Sequence, residues 1–524
     1  MENITFQTLP EVVSWNANYK KDEVAFVHEN YTTSFSEFNI FTNQIANGLI
    51  HEKIQPVAKV ALLAKDSNLT YELLFGCAKA KAVLVGINWR LAPQEIIYII
   101  NQSESEILFV GEEFFPVVEK IENELTGIRK IIAIKGNHGE WSDFISWKTI
   151  QYRESPGLNY RAEDPVVQMY TSGTTGHPKG VQLAHYTFFR LLQGAKLQGD
   201  EWMNLNQKDT LLICVPMFHI GGLWWGVQGF IHGAKNVVMD AFIAWKALEI
   251  IEKYRITKVA LVPAMIQFCL TEPSCKTSDL SSLQYILYGG SPITPTLLKQ
   301  ALEVFKCHFF QIYGMTETGN CAVTLRPADH DVTGLKRKDA AGKPFPGVEV
   351  KIVDQQGNTL PAGKTGEIYI KSPSVMLGYW KNESATNETL SEGWIRTGDG
   401  GYMDDEEYIY VCDRIKDMII CAGENIFPAE IEAALSEHEG VSEVAVIGVP
   451  DELWGEAVKA FVVLKPNYTI KQRELINFLR SRIADFKVPK TISFVESLPR
   501  NPSGKVLKRV LREPFWQGRE RHVN

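Results

Sequence analysis

The sequence is marked first by what it does not contain. It has no basic excess: 54 Lys and Arg stand against 62 Asp and Glu, and the net charge of −8 argues against a nucleic-acid binder. Cysteine is sparse and scattered. The eight cysteines, at 77, 214, 269, 275, 307, 321, 412 and 421, form no Cys-x-x-Cys pair. Neither a zinc site nor a disulfide framework is expected, and a reducing compartment fits. Met1–Pro10 carries no basic region followed by an apolar core, and the last four residues, Arg-His-Val-Asn, are not a peroxisomal address. A cytoplasmic location is therefore expected. The most apolar run, Leu211–Phe230, is broken by Pro216, His219, Gly221, Gly222, Gly226, Gln228 and Gly229. It reads as a buried segment, so no integral membrane segment is expected. Peripheral membrane contact and a homodimer stay open. Repeats and low-complexity tracts are missing too.

What is present is an ordinary globular composition, 45% hydrophobic and 22% charged, in a chain of 524 residues that exceeds one compact core. From about residue 20 to 110, strand-like runs (Val57–Ala64, Ala82–Asn88) alternate with helical patterns (Phe35–Ile50, Tyr71–Ala80). A second series runs from Asp209 to Gly314, with strands expected at Thr210–Val215, Asn236–Met239, Lys258–Val262, Tyr285–Tyr288 and His308–Tyr313. Such alternation predicts α/β folding with parallel sheets covered on both faces, and ligands beyond the carboxyl ends of the strands. After Ala340 short strands (Val348–Val353, Gly366–Ile370, Tyr408–Val411) and turns predict a small β subdomain, followed by a further α/β segment over about 417–495.

The chain is organised around Tyr170–Gly180, Tyr-Thr-Ser-Gly-Thr-Thr-Gly-His-Pro-Lys-Gly. Thr171 to Pro178 packs two glycines and four hydroxyl side chains into eight residues. Glycines let backbone approach an anion, hydroxyls donate to phosphate oxygens, and Lys179 adds a point charge. The segment Val181–Leu192 beyond it is expected to be helical. Walker A order is absent, because Lys179 precedes Gly180 instead of following a glycine. Taken alone, the stretch also fits a polar surface loop.

Further motifs follow in order. Tyr288-Gly289-Gly290-Ser291-Pro292 ends one expected strand and Gln311-Ile312-Tyr313-Gly314-Met315-Thr316-Glu317-Thr318 the next. Paired glycines admit a flat ring, Tyr313 offers a stacking face, and Glu317 is a hard-oxygen group suited to Mg²⁺. Asp399, after Thr397-Gly398, has the acceptors a ribose diol needs, although Gly-Asp is also an everyday turn. Asp413-Arg414-Ile415-Lys416-Asp417 reads as a charged linker, and Asn501-Pro502-Ser503-Gly504-Lys505 lies in a basic tail. His219 in Pro216-Met217-Phe218-His219, and Trp224 and Trp225 after it, are either core or pocket residues.

These motifs together resemble those of the adenylate-forming superfamily of acyl-CoA synthetases, adenylation domains and luciferases, most closely the medium- and long-chain fatty acyl-CoA synthetases. The resemblance runs from residue 170 to 505. It implies a large N-terminal domain, 1–415, made of two α/β subdomains plus a β-rich subdomain at about 341–415. A small mobile α+β C-terminal domain, 416–524, would turn on a hinge at Lys416. It further implies that ATP is held by Thr171, Ser172, Gly173, Thr174, Thr175, Gly176, Lys179, Gly289, Gly290, Gln311, Ile312, Tyr313, Gly314, Thr316, Asp399 and Arg414. Mg²⁺ would be held by Glu317 and Coenzyme A would pass Ala422 and Gly423. Lys505, Glu317, Thr175 and His219 would be catalytic, and His219, Trp224 and Trp225 would line an acyl pocket. The implied reaction turns a carboxylic acid, expected to be a fatty acid, into acyl-AMP with release of pyrophosphate, then into a thioester of Coenzyme A. Aryl acids, a carrier-protein acceptor, a luciferase-like oxygenase and a non-catalytic acyl or nucleotide sensor are the alternatives.

Overall fold

Strands buried on both faces read as unbroken apolar runs, and most of the expected ones are found. The computed structural model describes residues 5–171, 178–200, 202–291, 293–330, 337, 339–414, 417–421, 424–451, 455–480, 482–483, 485–500 and 506–517. It divides into two compact units, residues 1–350 with 370–395, and residues 351–369 with 396–524. The expected boundary at 415/416 thus falls inside the second unit.

The first unit contains two sheets. One has eight strands in the order Gly378–Tyr379, Lys179–Ala184, Pro165–Thr171, Val83–Gly86, Lys59–Leu63, Ser105–Gly111, Lys130–Ile134, Ser142–Asp143. Its central strands are parallel, with Lys59–Leu63 paired to Val83–Gly86 on one side and to Ser105–Gly111 on the other. Ala61, Leu63, Val85, Leu108, Val110 and Ala133 form the core beneath. The helix Phe35–His51 begins where Ser34 Oγ accepts from Glu37 N and Glu37 Oε2 accepts from Ser34 N at 2.9 Å, a reciprocal cap. The other sheet places Thr210–Ile213, Lys235–Val238, Lys258–Leu261, Tyr285–Gly289 and His308–Tyr313 in one parallel array. Val323–Leu325 then pairs antiparallel with His308–Tyr313.

One local expectation is corrected. Val181–Leu192 does not form a single helix: Lys179–Ala184 is a strand, and the helix Arg190–Leu197 begins later. Antiparallel pairing of Lys179–Ala184 with Pro165–Thr171, from Thr171↔Lys179 to Pro165↔Ala184, overrides the local pattern. The Gly-, Ser- and Thr-rich stretch is therefore followed in sequence by a strand that pairs with the one before it, and not by a helix. The run Leu211–Phe230 is the strand Thr210–Ile213 plus the helix Ile220–Ile231, which is buried along most of its length. Among the described residues no helix is long and apolar enough to cross a membrane, and no disulfide joins any of the eight cysteines.

In the second unit Ile409–Arg414 pairs antiparallel with Asp399–Met403. Val441–Asp451 and Gly455–Leu464 form a long antiparallel pair, with Thr491–Phe494 parallel to the latter. Helices Pro428–Ser436 and Gln472–Arg480 pack Ile431, Leu435, Leu475 and Leu479 into the core under this sheet.

Candidate active site

Thr171 and Lys179 are the last paired residues before the hairpin closes. Ser172, Gly173, Thr174, Thr175 and Gly176 lie outside the described residues, so the site is built from their flanks. Gly180 is closely approached by two side chains: a Cβ there would come within 2.7 Å of Gln168 Nε2, the tip of a flexible side chain, and 3.2 Å of the Tyr170 ring. Trp380 N donates to Gly180 O at 2.8 Å, and Gly378 and Tyr379 pair with Gln182 and Val181. This short edge strand brings a side chain to the loop that no motif announced.

That side chain is Tyr379. Its hydroxyl donates to Glu317 Oε1 at 2.8 Å, and the same oxygen accepts from Thr171 Oγ1 at 3.5 Å. Lys179 Nζ lies 5.0 Å from the Tyr379 ring centre. Glu317 is only 4% exposed, in the short turn Thr316–Thr318 that follows the strand His308–Tyr313. Burial, together with the negative charge of Glu317, pushes the Tyr379 hydroxyl well above its ordinary pKa, so it stays a donor. The structure thus brings Thr171, Lys179 and Glu317, from two separate motifs, around Tyr379. One buried carboxylate and one hydroxyl are hard-oxygen donors that fit Mg²⁺, which takes few protein ligands and completes its shell with water and phosphate. Among the described residues no group of three His, Cys, Asp or Glu side chains forms a closed metal site.

The two strand-end motifs lie side by side, with Gly289 in register with Ile312. A Cβ on Gly289 would sit 2.5 Å from Ile312 O, so the pair admits no side chain. Gly290 adopts φ +80°, a conformation glycine takes without strain. Tyr288 Oη lies 2.9 Å from Gln311 Oε1 and 3.0 Å from His330 Nε2, and Thr324 Oγ1 donates to Gln311 O at 2.9 Å. Gln311 is therefore held from two directions, with half-buried Tyr313 and Gly314 following it and Thr316 buried behind.

His219 is the residue before the helix Ile220–Ile231 and its carbonyl accepts from Leu223 N at 3.0 Å. Burial, with Arg90 adding to it, lowers its pKa to about 4, so the imidazole is neutral near pH 7. The turn before it is pinned by a residue the sequence reading missed. Asp66 Oδ2 accepts from Met217 N at 2.9 Å, while Asp66 Oδ1 has no partner among the described residues. Trp224 and Trp225 are each 1% exposed. Trp225 Nε1 donates to Leu212 O at 3.1 Å, which turns it toward the sheet, and Trp224 packs edge-on against Trp202.

In the second unit Asp399 is in register with Arg414. Thr397 Oγ1 donates to Ile368 O at 2.7 Å and accepts from Asp399 N at 3.0 Å, which fixes the turn. Gly398 N donates to Glu367 Oε1 at 3.2 Å. Burial, with repulsion from Asp399, pushes the Glu367 carboxyl upward against the Gly398 N–H and Arg396. Lys416, Ala422, Gly423 and Lys505 lie outside the described residues.

A family model described as AMP-binding enzyme matches residues 13–380, and one described as AMP-binding enzyme C-terminal domain matches 430–505. The chain is 44% identical over 519 residues to the fatty acid–[acyl-carrier-protein] ligase ScoC of Streptomyces coeruleorubidus, covering 99% of this chain and 98% of that one. It is 34% identical to a long-chain-fatty-acid–CoA ligase of Mycobacterium tuberculosis, over 92% and 93% of the two chains. Among solved structures, the anthranilate CoA ligase AuaEII in complex with anthranoyl-AMP superposes with a TM-score of 0.88 at 28% identity, covering 98% of each chain. The o-succinylbenzoate CoA synthetase of Bacillus subtilis with its acyl-adenylate gives a TM-score of 0.83 at 29% identity, over 96% and 98%. On these matches and this arrangement, the chain belongs to the AMP-binding enzyme family of adenylate-forming ligases.

Proposed function

We propose that this ligase activates a fatty acid as acyl-AMP and transfers the acyl group to the thiol of Coenzyme A. The class itself, an ATP-using, AMP-forming acid–thiol ligase, follows from family membership. The single observation behind the choice of acid is the 44% identity, across nearly the whole chain, to a protein named as a fatty acid ligase.

A carboxylate oxygen is a poor leaving group for a thiol at neutral pH, so the acid is first esterified. Its oxygen attacks the α-phosphorus of ATP in line, the bond to the β-phosphate oxygen breaks, and pyrophosphate leaves. The hydroxyls and amides of Thr171–Gly176, with Lys179, grip the triphosphate, and Lys505 bridges the acid and the α-phosphate. Glu317 and Thr171 would hold Mg²⁺, whose charge lowers the repulsion between phosphate and attacking carboxylate. Gly289, Gly290, Gln311, Ile312, Tyr313, Gly314 and Thr316 receive the adenine end, and Asp399 with Arg414 the ribose. In the second half-reaction the thiol, with an unperturbed pKa near ~8.5, loses its proton to solvent. Its sulfur bonds to the acyl carbon as the bond to the AMP oxygen breaks. Rotation of residues 416–524 about Lys416 would exchange Lys505 for Ala422 and Gly423 at one carbon. His219 gates the acyl pocket from the thiol channel, beside Trp224 and Trp225.

A second reading, a carrier-protein phosphopantetheine as acceptor, is favoured by the name of the same relative. The test is acid-dependent ATP–pyrophosphate exchange over acids of graded chain length, followed by AMP release with Coenzyme A, with holo-carrier protein, or with neither. Exchange peaking with fatty acids and AMP release accelerated by Coenzyme A support the first reading. Acceleration by the carrier protein alone replaces it with the second, and exchange only with aryl acids removes the fatty acid.

A further inference from the structure

The helix Pro93–Ser103 carries none of the family motifs, yet it reaches both flanks of the phosphate loop. At the entry, Gln168 Nε2 donates to Tyr170 Oη at 3.0 Å, and Tyr170 O–H donates to Gln102 Oε1. Gln102 Nε2 then donates to Trp380 O at 3.4 Å, and Trp380 Nε1 returns a bond to Gln102 O at 3.2 Å. At the exit, Tyr98 O–H donates to Pro178 O at 3.3 Å. The donors run in one direction from Gln168 to Trp380, so loss of one link misaligns the next. Trp380 directly follows Tyr379, the residue that donates to Glu317. Lys59 Nζ sits 3.0 Å above the Trp380 ring and holds its far face. A cleft of about 330 Å³, lined by Tyr98, Gln102, Lys179 and Trp380, opens on this side. Directed hydrogen bonds hold the described flanks of the loop, Tyr170 and Pro178, and the neighbouring Trp380.

We propose that Gln102 and Tyr170 are positioning residues which set the loop entry and the Tyr379–Glu317 pair as one unit, and thereby the grip on the triphosphate. The proposal rests on the ATP-dependent reading above. Neither side chain touches the reacting atoms; both act through the backbone of Tyr170–Thr171 and through Trp380.

The experiment compares full-length Tyr170→Phe, Gln102→Leu, Gln102→Glu and the Tyr170→Phe/Gln102→Leu double variant. ATP–pyrophosphate exchange and thioester formation from supplied acyl-AMP are measured for each. Loss of one link in this half-buried network should raise the KM for ATP about 5- to 10-fold. Thioester formation from supplied acyl-AMP should keep the wild-type rate. Gln102→Glu keeps the acceptor for Tyr170 O–H but loses the Nε2 donor to Trp380 O, so it should recover only part of the loss. The double variant should match the worse single variant and not the product of both, as expected within one network. A wild-type KM in both single variants, multiplied effects in the double, or equal loss of both half-reactions overturns the proposal. A wild-type enzyme without acid-dependent exchange removes the reading beneath it, and the proposal with it.

Discussion

Tyr379 and Glu317 are 62 residues apart in sequence, yet the phenol donates to the carboxylate at 2.8 Å in a buried contact that half-buried Thr171 joins. Tyr379→Phe removes that donor and leaves the ring beside Lys179. A hydrogen bond to a buried charge is worth roughly 1.5–3 kcal/mol, so adenylation should fall on the order of tenfold or more. The Mg²⁺ concentration needed for half-maximal exchange should shift as well. Unchanged exchange at every Mg²⁺ level would separate Tyr379 from the site.

Lys505 is tested by chemistry alone. Lys505→Ala should cut ATP–pyrophosphate exchange by roughly 10²-fold or more, in line with loss of a group that stabilises transition-state charge. Thioester formation from supplied acyl-AMP should persist. Equal loss of the two half-reactions would take the bridging role away from it.

Asp66 makes stability depend on pH. Burial drives its carboxyl up to about 8, against the pull of the Met217 N–H and Arg90, with Asp240 adding to the rise. The unfolded value is near ~3.9. The buried form is the neutral acid, so its stabilising contribution is full below about 4 and is lost as pH rises through about 8. Asp66→Asn is neutral throughout and keeps an acceptor for Met217 N. Thermal unfolding followed from about pH 6 to about pH 9 should show the wild type losing ground to Asp66→Asn as pH rises. A constant difference across that range rejects the neutral acid.

His219 is held neutral, its pKa lowered to about 4 by burial and Arg90. The thioester-forming half-reaction should therefore show no limb near ~6.5, the ordinary histidine value. His219→Asn should preserve the shape of the pH profile. A limb near neutrality that disappears in His219→Asn would mean the imidazole titrates during turnover.

Gly180→Ala should weaken ATP binding, because the new methyl would stand 2.7 Å from Gln168 Nε2 and press on Tyr170. Isothermal titration with ATP reads this directly. Full affinity would mean that Gln168 swings aside at no cost.

Much of the fold was legible because the relevant signals are local. His308–Tyr313 was expected and found with the same bounds, and Lys258–Leu261 to within one residue, since each takes its place in a regular alternation of strand and helix patterns. Lys179–Ala184 was misread because its partner, Pro165–Thr171, and not its own residue pattern, decides its conformation. The motif residues Thr171, Lys179 and Glu317 could be named in advance as groups around one nucleotide, but the part of Tyr379 in joining them could not. Tyr379, Gln102 and Asp66 left no trace in the sequence: each acts through a partner far along the chain, and none lies in a recognisable run of residue types.

The dipeptide Gly378–Tyr379 is also the outermost strand of the eight-stranded sheet. A bare sheet margin invites strands from other molecules, and a very short, twisted-off edge is one way proteins prevent this. The same two residues thus close a sheet margin and, through Tyr379, flank the proposed site. Variants that loosen this margin should precipitate and lose activity together, whereas mutations elsewhere along the sheet would let the two properties drift apart.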